Sequence, residues 1–216
     1  MMSRPVYKAV IFDLDGTLLD TLGDITSAVN MTMSQMGCAH RTRGEVCSFI
    51  GNGARMLMVR SLPDGDERVD EALRLFRENY SRCCMDTTCP FPGISELVER
   101  LINSGCRVGI VSNKPDVQTN MLAQRFFPGI PAQGESERSP RKPDPTGLLN
   151  MIKDFGCEPG EVLYVGDSQV DKQVADNAGT DCALVTWGFR SVQVLAPLGA
   201  QYLVDETAQL SQFLFE

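Results

Sequence analysis

The stretch Val10-Ile11-Phe12-Asp13-Leu14-Asp15-Gly16-Thr17-Leu18-Leu19-Asp20 constrains this chain most. An apolar run stops at two aspartates spaced one residue apart, and a glycine and a threonine follow at once. Val6 to Phe12 read as a buried strand of a parallel sheet, nearly continuous in apolar character. Ligands of open α/β sheets bind beyond the carboxyl ends of the strands. Asp13 and Asp15 sit at that position, and Gly16 permits a sharp turn. Two acids there repel each other unless a proton or a cation joins them, and a hard divalent ion such as Mg²⁺ suits oxygen ligands. The plainer alternative is a solvated Asp-Leu-Asp-Gly turn, since Asp and Gly are ordinary turn residues.

The 216 residues, 43% of them hydrophobic, suit one domain with a sizeable core, or a core domain with a small insert. A net charge of -8 and the lack of a dense basic patch disfavour nucleic acid as a partner. No apolar run reaches the ~18 residues that span a membrane. Residues 1–5 lead into a strand without a signal-peptide core, which predicts a cytoplasmic location. The eight cysteines form no C-x-x-C pair, so they read as reduced thiols, with Cys106 and Cys182 in or beside core strands.

After Asp20 the period becomes helical. Leu22, Ile25, Val29, Met33 and Met36 mark one helix, ended by Gly37. A short segment at 45–49, a helix over 54–61 and a longer one capped by Asp66 follow. No strand is predicted from about 20 to 85. Cys89 to Gly93 read as a rigid return linker. From there βα alternation sets in: helix 94–104, strand 106–111, helix 116–126, a short strand near Ile130, helix 145–155, strand 161–165, helix 169–178 and strand 182–186. Short pieces over 191–195 and 206–214 close the chain, with an edge strand near Val204. Such alternation predicts an α/β, doubly wound, mostly parallel sheet of about five strands. Residues 1–19 and 90–216 would form this core, and residues 20–89 an inserted all-α cap.

Three more segments carry polar residues at strand or helix ends. Ser112-Asn113-Lys114-Pro115 fits either a phosphate cradle at a helix start or a plain helix N-cap. Arg141-Lys142-Pro143-Asp144-Pro145 holds Lys142 on a backbone stiffened by prolines, aimed at a phosphoryl group or an acid, or else is a solvated basic turn. Gly166-Asp167-Ser168-Gln169-Val170-Asp171 repeats the strand-end acid, with Asp171 four residues on and facing the same way. Helix capping by Asp167 or Ser168 is the bland alternative.

In this order the four segments resemble the haloacid dehalogenase-like superfamily of phosphohydrolases, over nearly the whole chain. Gly51-Asn52-Gly53-Ala54, Asn113-Lys114-Pro115 and Gly188-Phe189-Arg190 are most similar to its phosphoglycolate phosphatases. The resemblance implies a Mg²⁺-dependent hydrolase of a small phosphorylated metabolite, with 2-phosphoglycolate as the first candidate. It implies Asp13 as nucleophile and Asp15 as general acid and base. Mg²⁺ would bind Asp13, the Asp15 carbonyl, Asp167 and a phosphate oxygen, with Asp171 assisting Asp167. Ser112, the Asn113 backbone and Lys142 would hold the phosphoryl oxygens.

Asp20 reads as a helix N-terminal acid, and Thr17 as a residue that orients Asp15. Gly53 belongs to a cap loop that descends on the leaving group. Arg55 is a candidate for a substrate carboxylate, against the plainer reading of a solvated helix arginine. Pyrophosphatase, nucleotidase, sugar-phosphate phosphatase and phosphomutase stay open on the same fold, and the chain would be a monomer or homodimer. A dehalogenase suits these acids less well. A phospho-accepting receiver domain and a non-catalytic binding protein are rivals of a different class.

Overall fold

A computed structural model describes residues 6–215. Residues 1–5, on which the signal-peptide reading rests, lie outside the described residues. The central strand is β1 (Ala9–Phe12), every residue of it fully buried. Side chains alternate across a strand. Val10 and Phe12 therefore enter one core layer while Ala9 and Ile11 enter the other. The strand is shorter than predicted: Val6 is 60% exposed and outside it.

The remaining elements are β2 (Leu19–Asp20), α1 (Leu22–Gln35), α2 (Arg43–Phe49), α3 (Gly53–Ser61), α4 (Val69–Cys83), β3 (Cys89–Pro90), α5 (Ile94–Asn103), β4 (Arg107–Pro115), α6 (Asp116–Phe126), β5 (Ala132–Glu135), α7 (Thr146–Asp154), β6 (Val162–Gly166), α8 (Gln169–Ala178), β7 (Asp181–Val185), α9 (Val192–Leu195), β8 (Tyr202–Val204) and α10 (Thr207–Phe215). The main sheet has six strands, not five, in the order β5-β4-β1-β6-β7-β8, every pair parallel. Leu97 and Leu101 of α5, Leu122 of α6 and Leu210 of α10 cover one face. Leu148 and Ile152 of α7 with Val174 and Ala178 of α8 cover the other. The chain leaves β1 for β4 on one side and returns to β6 on the other. The crevice at their carboxyl ends is therefore the topological switch point of the sheet.

The four helices from Leu22 to Cys83 have a separate core of Ile25, Val29, Met33, Met58, Phe76 and Tyr80. Inside it, Asn79 of α4 donates to Thr32 of α1 at 3.0 Å. The return linker is more ordered than predicted, since β3 pairs antiparallel with β2 in a two-stranded ribbon. Entry and exit of the helical insert thus share one short ladder. Asp66 does not cap α4. It accepts from the backbone N–H and guanidinium of Arg68, and the helix starts at Val69.

One buried acid ties this junction together. Asp24 of α1 is 1% exposed and accepts from the N–H and hydroxyl of both Thr87 and Thr88, at 2.5–2.9 Å. Asp24→Ala removes the acceptor from all four donors, those of Thr88 in a buried site, a change worth about 3 kcal/mol. Urea unfolding of the variant is expected to show that loss at an unchanged m-value, and a midpoint equal to wild type would refute the assignment.

Candidate active site

The turn after β1 is built from its own backbone. Leu18 and Leu19 N–H groups donate to the Leu14 carbonyl, and Gly16 N–H donates to Leu19. Gly16 adopts φ +84°, and a Cβ there would run into Asp167 and Phe189. Only glycine lets this turn pass so close to the acid of the neighbouring strand. Asp13 and Asp15 open into a cleft of about 800 Å³, counting its open mouth. Ser112, Asn113, Lys142 and Asp167 line it from the core, and Gly53 and Tyr80 from the helical insert.

Lys142 sits at the bottom, 4% exposed. Its Nζ donates to Asp171 at 2.7 Å and to the Tyr164 hydroxyl at 2.9 Å. It also stands 2.9 Å from Asp13 Oδ1 as an ion pair, off-axis for a hydrogen bond. Burial works against the ammonium, but Asp13 and Asp171 outweigh it and hold the Lys142 pKa well above its ordinary value. The lysine turn is clamped by Asn113, whose side-chain oxygen accepts from Lys142 N–H at 2.6 Å and whose amide donates to the Lys142 carbonyl at 3.1 Å. The same amide reaches the Gly51 carbonyl at 3.1 Å.

Carboxylate oxygens of Asp13, Asp167 and Asp171 all lie within 4.8 Å of one another, and all three residues are buried. Burial pushes the Asp13 pKa up to about 6, against the pull of Lys142. Burial, then Asp171 and Asp13, raise Asp167 well above the carboxylate range. Asp13 Oδ1 is a buried oxygen with no hydrogen-bond donor. Three buried carboxylates this close, one with an oxygen that receives no hydrogen bond, suit a hard divalent cation, so the residues fit Mg²⁺. Asp171 is the most occupied of the three. Ser168 N–H and Oγ donate to its Oδ2, and Lys142 takes its Oδ1. That binds it into the start of α8 and behind Lys142.

Several expectations change here. Ser112 and Asn113 do not cap α6, because β4 runs on to Pro115 and the helix starts at Asp116. Thr17 does not orient Asp15: its buried hydroxyl has no partner, and Thr21 donates to Asp15 Oδ1 at 2.7 Å instead. Arg55 is outside the cleft. On α3 it projects to α4 and pairs with the exposed Asp70. Gly53, at φ +77°, does reach the cleft, and a Cβ there would run into the Arg141 guanidinium. Asp20 accepts from Leu22 N–H at 3.1 Å, in keeping with a helix N-terminal acid.

Two contributors stood in the sequence reading only as motif residues without a role. Lys114 is buried and its Nζ lies 2.9 Å from both oxygens of Asp15. The available signal was a lysine directly behind the strand-end Ser-Asn pair. Arg190 donates to the carbonyls of Cys47 and Ile50, joining the core to the end of α2, and its neighbour Phe189 N–H donates to Asp167 at 2.6 Å.

A doubly wound sheet with acids and lysines gathered at its switch point, roofed by helices, defines an α/β phosphohydrolase. The chain belongs to the haloacid dehalogenase-like hydrolase family, whose sequence profile matches residues 10–185. It is 33% identical to phosphoglycolate phosphatase 1 of Pseudomonas aeruginosa over 94% of this chain and 78% of that one. It is 32% identical to the phosphoglycolate phosphatase of Agrobacterium fabrum, over 100% and 96% of the two chains. A crystal structure from Lactobacillus delbrueckii subsp. bulgaricus, provisionally assigned as a phosphoglycolate phosphatase, superposes with a TM-score of 0.91 at 34% identity, covering 97% of this chain and 99% of that one.

The raised Asp13 carboxyl fixes a sign. Between about pH 4 and 6 the folded chain holds this proton more tightly than the unfolded chain, so the group's contribution to stability falls as pH rises through that window. A cation competes with the proton. Mg²⁺ is therefore expected to raise Tm more at pH 7.5 than at pH 5, and Asp167→Asn to cut the pH 7.5 increment by more than half. Melts in Mg²⁺ and in EDTA check this, and equal increments at both pH values would contradict it.

Proposed function

We propose that this protein is a Mg²⁺-dependent phosphomonoester hydrolase that works through an aspartyl-phosphate on Asp13, with 2-phosphoglycolate as its substrate. The observation that carries the reading is the Lys142 ammonium 2.9 Å from Asp13 Oδ1 inside a buried acid cluster that accommodates a divalent ion. The named relatives support the choice of substrate.

Asp13 attacks phosphorus, and the P–O bond to the alcohol breaks as the new P–O bond forms. Asp15 gives its proton to the departing oxygen, then takes one from the water that hydrolyses the acyl phosphate. Thr21 and Lys114 hold the Asp15 side chain from two sides, which fixes its position beside Asp13. Lys142 and Ser112 face the phosphoryl oxygens, where negative charge must be balanced. Asp13, Asp167 and the Asp15 carbonyl would hold Mg²⁺, with Asp171 behind them, and the bound ion would supply charge neutralisation at the phosphoryl group. Residues 20–89 act as a cap over residues 1–19 and 90–216, with the β2–β3 ribbon as its hinge. The eight free thiols suit a reducing, cytoplasmic setting.

Assays with p-nitrophenyl phosphate and a panel of phosphate esters test this. Asp13→Asn is expected to lower kcat on the order of 10⁴-fold or more, and EDTA to abolish turnover. Turnover indifferent to Asp13→Asn removes the nucleophile, and turnover in EDTA removes the metal.

A further inference from the structure

The cleft has a second polar wall, on the Asp15 side, that phosphoryl chemistry alone does not use. Lys114 is buried, with its Nζ on the Asp15 oxygens and 4.5 Å from the centroid of the Tyr80 ring. Tyr80 comes from α4 of the helical insert and is 3% exposed. Its hydroxyl is buried and has no partner besides the neighbouring Lys114 ammonium, so its proton meets no acceptor. Both side chains line the cleft, as does Arg77, three residues earlier on the same helix. Arg77 is exposed and has no acidic partner among the described residues. A buried hydroxyl proton without an acceptor is costly, and beside a buried ammonium it gives the cleft wall two neighbouring donors.

We propose that Lys114 and the Tyr80 hydroxyl form an anion subsite for a carboxylate carried on the leaving group, so that the enzyme selects short phosphorylated hydroxy acids over phosphate esters of neutral alcohols. The proposal rests on the phosphomonoesterase reading above. Lys114 contacts Asp15, the group that must reach the departing oxygen, so an anion held by Lys114 stands only a few bonds from that oxygen. A flat carboxylate offers two oxygens to two donors. A second phosphoryl group brings a third oxygen and more charge, which two buried donors do not satisfy. Because Tyr80 belongs to the helical insert and Lys114 to β4, the subsite is complete only where the two bodies meet. Arg77, at the rim, adds long-range attraction for the same anion.

Steady-state kinetics on the full chain with Mg²⁺ test this with 2-phosphoglycolate, ethyl phosphate, 2-hydroxyethyl phosphate and inorganic pyrophosphate. The expected kcat/KM for 2-phosphoglycolate exceeds that of the two neutral esters by on the order of 10²-fold, with pyrophosphate below it. Tyr80→Phe keeps the ring against Lys114 and is expected to shrink that preference about tenfold, chiefly through KM. It should also weaken inhibition by glycolate more than inhibition by inorganic phosphate. Turnover of all esters without a carboxylate preference overturns the subsite and leaves the phosphomonoesterase reading standing, as does a Tyr80→Phe variant that loses kcat/KM equally on every ester. A preference for pyrophosphate overturns the carboxylate assignment. Failure to turn over any ester overturns the underlying reading and the subsite with it.

Discussion

The contact on which the rest depends is the buried ammonium of Lys142 among Asp13, Asp171 and the Tyr164 hydroxyl. Charges this deep persist only when paired, and removing one partner of such a group costs about 3–5 kcal/mol. The lysine therefore holds two strand ends together electrostatically: Asp13 at the end of β1, and Asp171 through the start of α8 after β6. Asn113 from β4 fixes the lysine's own turn. All the strand ends around the switch point thus converge on one cation. Even so, burial raises the Asp13 carboxyl against the pull of that cation, and burial with the neighbouring acids raises Asp167. Such a cluster of buried acids fits a divalent ion.

A second set of contacts runs between the sheet and the helices above it. The β2–β3 ribbon joins them covalently and by pairing. Asn113 and Arg190 reach backbone carbonyls of the helical insert at Gly51, Cys47 and Ile50. These half-buried polar contacts contrast with the apolar cores on either side. This division between two dry cores and a polar seam suits two bodies that open and close about a short hinge. The acid Asp15 lies on the seam, held by Thr21 from below α1 and by Lys114 from β4.

How much was legible beforehand depended on range. The βα alternation, α6, α8 and the strand-end acids could be read because period and punctuation are local properties. Helix α8 runs from Gln169 to Ala178 as its spacing predicts. Within the site, the failures are mostly partnerships. Thr17 and Thr21 both follow Asp15 within a few residues, and only the turn at Gly16 decides which hydroxyl meets it. Arg55 is two residues from Gly53, yet one faces α4 and the other the cleft, because successive helix positions point about 100° apart. Asp66 looked like a cap because the competing pull of Arg68 does not show in the local pattern.

Residue order alone established the α/β architecture, the helical insertion and the list of strand-end acids, lysine and serine, since hydrophobic period and turn chemistry are written along the chain. Folding in three dimensions selected the pairs: Lys142 with Asp13 and Asp171, Lys114 with Asp15 and Tyr80, Asn113 with the lysine turn. Those partners lie tens of residues apart, up to 129 positions between Asp13 and Lys142. Their meeting depends on strand order and on the angle of one glycine turn, quantities that no local pattern encodes.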